Sequence, residues 1–151
     1  MKLKKLSKCL VFLALLSLAG CADEATCIPE NTDLLQLSFI DENGKASAIT
    51  VVSLDVEGGN DYFPIIHDST FSTLSVPLNP LDSVVQLNFV QESEINSITL
   101  NYRATPRLSD PKCGLETFFN EIETESTNFI DVEIVNPVLN KDITTNVKIT
   151  H

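Results

Sequence analysis

Thiols are the most reactive groups in this chain, and it has four: Cys9, Cys21, Cys27 and Cys113. A thiol can carry a lipid, close a disulfide, hold a metal or attack a carbonyl, and its surroundings decide which. Metal binding is disfavoured, because no CxxC occurs, no histidine lies near a cysteine, and zinc needs several such ligands close together. Nucleophilic catalysis needs a base held beside the nucleophile. The two histidines are His67, beside a polar turn, and the terminal His151. Ser69 stands two residues from His67 without a nucleophile-elbow sequence, so both histidines read as ordinary surface or core residues. With 21 aspartates and glutamates, a glycosidase-like carboxylate pair is expected from composition alone. Asp41-Glu42-Asn43-Gly44 echoes a calcium loop but lacks its alternating ligands and closing glutamate. No catalytic residue, metal or cofactor is expected, and the chain reads as non-enzymatic.

The N-terminus explains two of the cysteines. Lys2, Lys4, Lys5 and Lys8 precede an apolar run from Leu10 to Leu18 broken only by Ser17, followed by small residues, which is the order of a secretory signal. A spanning helix needs about 20 apolar residues, and this run is about half that. The stretch Leu18-Ala19-Gly20-Cys21 resembles the lipobox of bacterial lipoprotein precursors. Residues 1–20 are therefore expected to be a lipoprotein signal peptide, removed with Cys9. Cys21 becomes the new N-terminus and the lipid attachment site, joined to a tether over 21–33 and a domain over 34–151. One acyl chain binds a membrane marginally, whereas two or more anchor it stably.

That leaves Cys27 and Cys113, two thiols in an oxidising envelope, which predicts one disulfide bond. It would close a loop of nearly ninety residues, worth about 4 to 5 kcal/mol by chain entropy. Cys27 lies six residues from Cys21, a reach of about 20 Å, so the domain is expected close to its membrane.

Signal removal takes four of the ten basic residues and none of the acidic ones, so the expected mature chain carries a formal charge of −15. Such a field repels phosphate backbones and anionic headgroups, which argues against nucleic acid and leaves anchoring to the lipid. The 131 residues that remain suit one domain with a substantial core.

Through that domain the dominant period is two, the mark of half-buried strands. Leu35, Leu37 and Phe39 alternate, and Asn43-Gly44 then predicts a tight hairpin into a strand over 49–56. Gly58, Gly59 and Asn60 end it, before the apolar segment Tyr62 to Ile66. Alternation returns at Leu74, Val76 and Leu78, then at Val85, Leu87 and Phe89, which are expected to pair with Ile98, Leu100 and Tyr102. Pro106 and Pro111 are expected to bracket a loop leading to Cys113. Leu115, Phe118, Phe119 and Ile122 have helical spacing, but Cys113-Gly114 and the surrounding β pattern favour a strand or hairpin over 114–123. Ile130, Val132 and Ile134 read as a late strand, and Val147 and Ile149 as the last. The expectation is an all-β fold of about eight strands in a two-sheet sandwich, immunoglobulin-like or related.

Taken whole, the organisation resembles small lipoproteins of Bacteroidota built around a domain of unknown function. The shared features are the early Cys27, Leu78-Asn79 before a strand, Cys113-Gly114, Asn128-Phe129-Ile130-Asp131 and the closing Asn146-Val147-Lys148-Ile149. They cover most of the mature chain and imply an envelope lipoprotein, with no catalytic residue to carry over. Asp23-Glu24 looks like the acidic signal for surface display in that phylum, and reads equally as a solvated linker. Asp68-Ser69-Thr70 and Asp82-Ser83-Val84 resemble the pattern those bacteria O-glycosylate on the hydroxyl, with turn or strand-start serines as the plainer account.

The expected location is the cell envelope, lipid-anchored at the outer membrane on either its periplasmic or its surface face. Two non-enzymatic roles fit. The first is a structural or protein-interaction module that meets an envelope partner through Tyr62, Phe63 and Ile65, provided these residues are not core. The second is a glycan-binding surface lipoprotein, which ranks lower because the chain has no Trp and only Tyr62 and Tyr102 as tyrosine platforms.

Overall fold

The computed structural model describes residues 32–58, 63–64, 66–110 and 114–151. Nine strands follow in order: β1 (Leu34–Ile40), β2 (Ile49–Glu57), β3 (Ile66–Phe71), β4 (Thr73–Pro77), β5 (Val84–Val90), β6 (Ile95–Asp110), β7 (Gly114–Thr127), β8 (Asp131–Ile134) and β9 (Val147–Thr150). They form a four-stranded sheet, β4-β1-β9-β8, and a five-stranded sheet, β3-β2-β5-β6-β7. The two sheets make a β-sandwich, and no helix occurs among the described residues.

Alternation places the core. Leu35, Leu37 and Phe39 of β1, Val85, Leu87 and Phe89 of β5, and Ile98, Leu100 and Tyr102 of β6 all point inward and are buried. In β5 and β6 the intervening residues are half-buried, and the two strands pair antiparallel as expected, from Val84 opposite Asn101 to Val90 opposite Ile95. Aromatic rings fill one half of the sandwich. Phe39 meets Phe89 edge-on at 5.6 Å and Phe71 at 5.7 Å, and Phe89 meets Phe129 at 5.4 Å, geometries that suit the ring quadrupoles.

Four features were not legible in the local pattern. Asn43-Gly44 does turn the chain: Gly44 has φ +75, and Asp41 Oδ1 accepts the amides of Asn43 and Lys45, each at 2.9 Å. The flanking strands nonetheless share only the single bridge Ile40–Ala46 before β1 and β2 separate into different sheets. Local turn chemistry cannot hold a hairpin when each strand buries more apolar surface beside partners elsewhere. The second is strand β3, one of nine where about eight were expected, whose mostly polar Ile66–Phe71 carries no clean alternation because it is an edge with Asp68 at φ +44.

The third concerns Pro106, which lies inside β6 rather than in a loop. β6 pairs with β5 only as far as Asn101, so along 103–110 no ladder on that side requires the amide hydrogen that proline lacks. The fourth is Ile130, which precedes β8 and is 63% exposed, while its neighbour Phe129 is buried. A one-residue shift exchanges the two faces of an extended chain.

The segment with helical spacing is strand throughout, and bulges account for that spacing. Asn101 faces Glu123 and Arg103 faces Asn120, so Glu121 and Ile122 together stand opposite Tyr102. Glu121 takes φ +55 there, and this shift of phase turns both Phe119 and Ile122 into the core although they are three residues apart.

Candidate functional site

The two ends of the sandwich differ. At one end lie the start of β1, the β2–β3, β4–β5 and β8–β9 connections, and the β6–β7 hairpin. The Leu78 amide donates to the Asp33 carbonyl at 2.8 Å and the Tyr102 amide to the Ser83 carbonyl at 2.8 Å, which places the incoming chain beside the root of that hairpin. Beyond Arg103 and Asn120, β6 and β7 form a ladder only with each other, out to Asp110 opposite Gly114, with one further tie where the Phe119 carbonyl accepts the Leu139 amide at 3.0 Å. This two-stranded arm is about 23 Å long at a strand's rise per residue.

One face of the arm continues the core. Ala104 faces Phe119, Pro106 faces Thr117, and Leu108 faces Leu115. Residues directly opposite on antiparallel strands share a face. Phe119 is buried and its ring packs on Tyr102 at 5.9 Å, yet further out Leu108 is 59% and Leu115 74% exposed. The other face is charged. Arg103 pairs with Glu121 at 3.0 Å, and the Arg107 guanidinium lies 5.1 Å from the centre of the Phe118 ring.

At the arm's root an open cleft of about 540 Å³ is lined by Leu81, Asp82, Ser83, Tyr102, Arg103 and Glu121 among others. Tyr102 organises it: the hydroxyl donates to the Asn79 carbonyl at 2.8 Å and ties the β4–β5 crossover to β6. Burial, with the Asp82 carboxylate second, pushes that hydroxyl up to about 12, so it stays a protonated donor. Leu81 stands on the rim, 94% exposed. Among the described residues no three His, Cys, Asp or Glu side chains gather as a metal site would require.

The expected site residues fall in several places. Cys21, Cys27, Cys113, Tyr62 and Ile65 lie outside the described residues. Phe63 is half-buried and packs against the core. Ser69 is half-buried on edge strand β3, where its hydroxyl donates to the His67 carbonyl at 2.8 Å. That hydroxyl meets the main chain of His67 and makes no hydrogen bond to the imidazole. Ser83 is exposed in the β4–β5 loop, making it the more accessible of the two hydroxyls proposed for O-glycosylation. His151 is half-buried with its ring 6.0 Å from Phe39. The Tyr102 ring, 4% exposed, offers no sugar platform.

Three asparagines carry roles that alternation could not reveal. Asn146, the buried polar residue of the core region, accepts the Gln36 amide at 3.0 Å and donates to the carbonyls of Asn136 and Val138 at 3.1 and 2.9 Å. Asn128 accepts the Ser97 amide at 2.6 Å and donates to the Ile95 carbonyl at 2.9 Å. Asn79 accepts the Leu81 amide on its side chain and Tyr102 on its carbonyl. Each sits within a short motif that drew the family resemblance, and each closes a junction between strands.

The chain matches no protein-family model, no curated protein and no solved structure with which it was compared.

Proposed function

We propose that this chain is the precursor of a bacterial envelope lipoprotein, cut before Cys21 and held by lipid on that cysteine, whose sandwich serves as a structural or protein-interaction module. The observation that carries the reading is the complete Leu18-Ala19-Gly20-Cys21 motif at the end of a short apolar run behind four lysines. The loose motifs shared with small Bacteroidota lipoproteins support it. The disulfide between Cys27 and Cys113 belongs to the same reading. Glycan binding ranks lower because burial of Tyr102 removes one of its two candidate platforms.

The interaction role calls for an accessible apolar surface away from the anchor. Ile95 and Ile130, 58% and 63% exposed, meet that need, and Asn128 holds the turns that carry them together. Fractionation and intact mass test the anchor: the native chain should be membrane-bound with a lipidated N-terminal Cys21, and Cys21→Ala should be released. An unmodified mature N-terminus at any other residue would sink the proposal. Photo-crosslinking in cells from position 130 should capture one specific envelope protein, and the absence of a specific product would remove the interaction role.

A further inference from the structure

We infer that the arm end of the sandwich lies on the bilayer, with Leu108 and Leu115 at the tip of the β6–β7 arm entering its interfacial layer. The inference rests on the lipid anchor proposed above and adds an orientation and a second membrane contact. Three observations carry it.

The first is where the chain enters. Thr32 begins the described structure and Asp33 is bonded beside the root of the arm, so the tether from Cys21 reaches the body at this end. The twelve residues from 21 to 32 span at most about 40 Å. The body is thus held near the membrane by the end that bears the arm.

The second is where apolar surface is left bare. Of the nine exposed large hydrophobics among the described residues, six lie at this end: Leu34, Leu81, Leu108, Leu115, Val135 and Val138. Val135 belongs here because its amide bonds to Asn146, which in turn bonds to Gln36 near the start of β1. Leu108 and Leu115 are directly opposite one another on a sheet face that is core at Phe119 and ends in these two mostly exposed leucines. A paired, exposed apolar contact beyond the core, interrupted only at Thr117, is the kind of surface that meets a membrane or a partner.

The third is charge. On the arm, Arg103 and Arg107 offset Glu121 and Glu116, and between them the sequence holds one further acid and base, Asp110 and Lys112. The turns of the opposite end carry Asp41, Glu42, Glu92 and Glu94 against Lys45 alone. The loops around the arm's root are acidic, with Asp33, Glu57, Asp82, Glu123 and Asp142 against Lys141, so it is the near-neutral arm itself, projecting beyond them, that anionic headgroups repel least. Arg107, stacked on Phe118 behind the leucines, can reach headgroup phosphates as an interfacial arginine does.

The chain has no tryptophan, so one introduced residue becomes a unique fluorescent reporter. Leu115→Trp and Leu108→Trp probe the tip and Ile130→Trp the opposite end. All three positions are exposed, so the variants keep the core intact. Each lipidated mature protein is reconstituted into phosphatidylethanolamine and phosphatidylglycerol vesicles, with and without nitroxide-labelled phospholipid. Both tip reporters should shift to the blue on reconstitution and lose most of their emission to the nitroxide lipid, and Ile130→Trp should do neither. Three results would overturn the inference: tip emission unchanged by vesicles, quenching of Ile130→Trp instead, or tip emission already blue-shifted in the unlipidated Cys21→Ala background without vesicles. The last would mean that another part of the chain, such as residues 22–31, covers the leucines. Intact mass on the same samples separates the two levels: lipid on Cys21 with unquenched tips defeats only the orientation, whereas absent lipid defeats the anchor.

Discussion

The half of the sandwich that holds Phe39, Phe71, Phe89 and Phe129 and the half that bears the arm are made of the same strands, yet they are stabilised differently. In the first, rings stack edge to face across both sheets and the connecting turns are short and acidic. In the second, polar ties from Asn146 and Tyr102 hold longer connections, and leucines are left outside. Apolar burial is non-directional and stabilises wherever volume is filled, whereas a buried polar tie fixes one geometry and is costly when half-made. The ring-packed half is built for stability, and the arm half is shaped to hold particular surfaces in place.

Substitutions can break that contrast, beginning with the largest expected effect. Phe89→Ala empties the centre of the ring cluster and should lower unfolding free energy by about 3 to 5 kcal/mol in denaturant titration. Asn146→Ala in the other half orphans one amide and two carbonyls and should cost about 2 to 3 kcal/mol, although it removes little volume. If Asn146→Leu proved harmless, the polar ties would not be what holds the arm half.

Tyr102→Phe removes a single hydrogen bond and should cost about 1 kcal/mol at neutral pH. Its pH signature is sharper. The folded hydroxyl titrates near 12 against about 10 when unfolded, so its contribution is complete below about pH 10 and is lost as pH rises toward 12. Stability measured across that window should fall less steeply in Tyr102→Phe than in the native chain. Smallest of all, Leu115→Ser should change stability by no more than about 0.5 kcal/mol, because that side chain is outside the core. Amide exchange would sharpen the comparison further: the arm amides beyond Ala104, paired on one side only, should exchange faster than those of β5 and the start of β6.

Much of the fold is legible along the chain. The alternations at Leu35–Phe39, Val85–Phe89 and Ile98–Tyr102 specify strands and their inward faces, and even predict one pairing, because period-two burial is a property of each extended segment alone. The Leu18-Ala19-Gly20-Cys21 motif, the cysteine count and the net charge are also properties of the linear chain, since they depend on residues rather than on folded geometry. Tertiary structure decided the rest. It set β1 parallel to β9 across more than a hundred residues, sent the Asn43-Gly44 turn across two sheets, and shifted Phe129 inward and Ile130 out. It carried β6 through Pro106 into the arm and put a bulge at Glu121 that makes strand residues look helical in spacing. Each of these depends on which distant segment offers the better apolar and hydrogen-bonding partner, a competition among all strands that no local pattern contains.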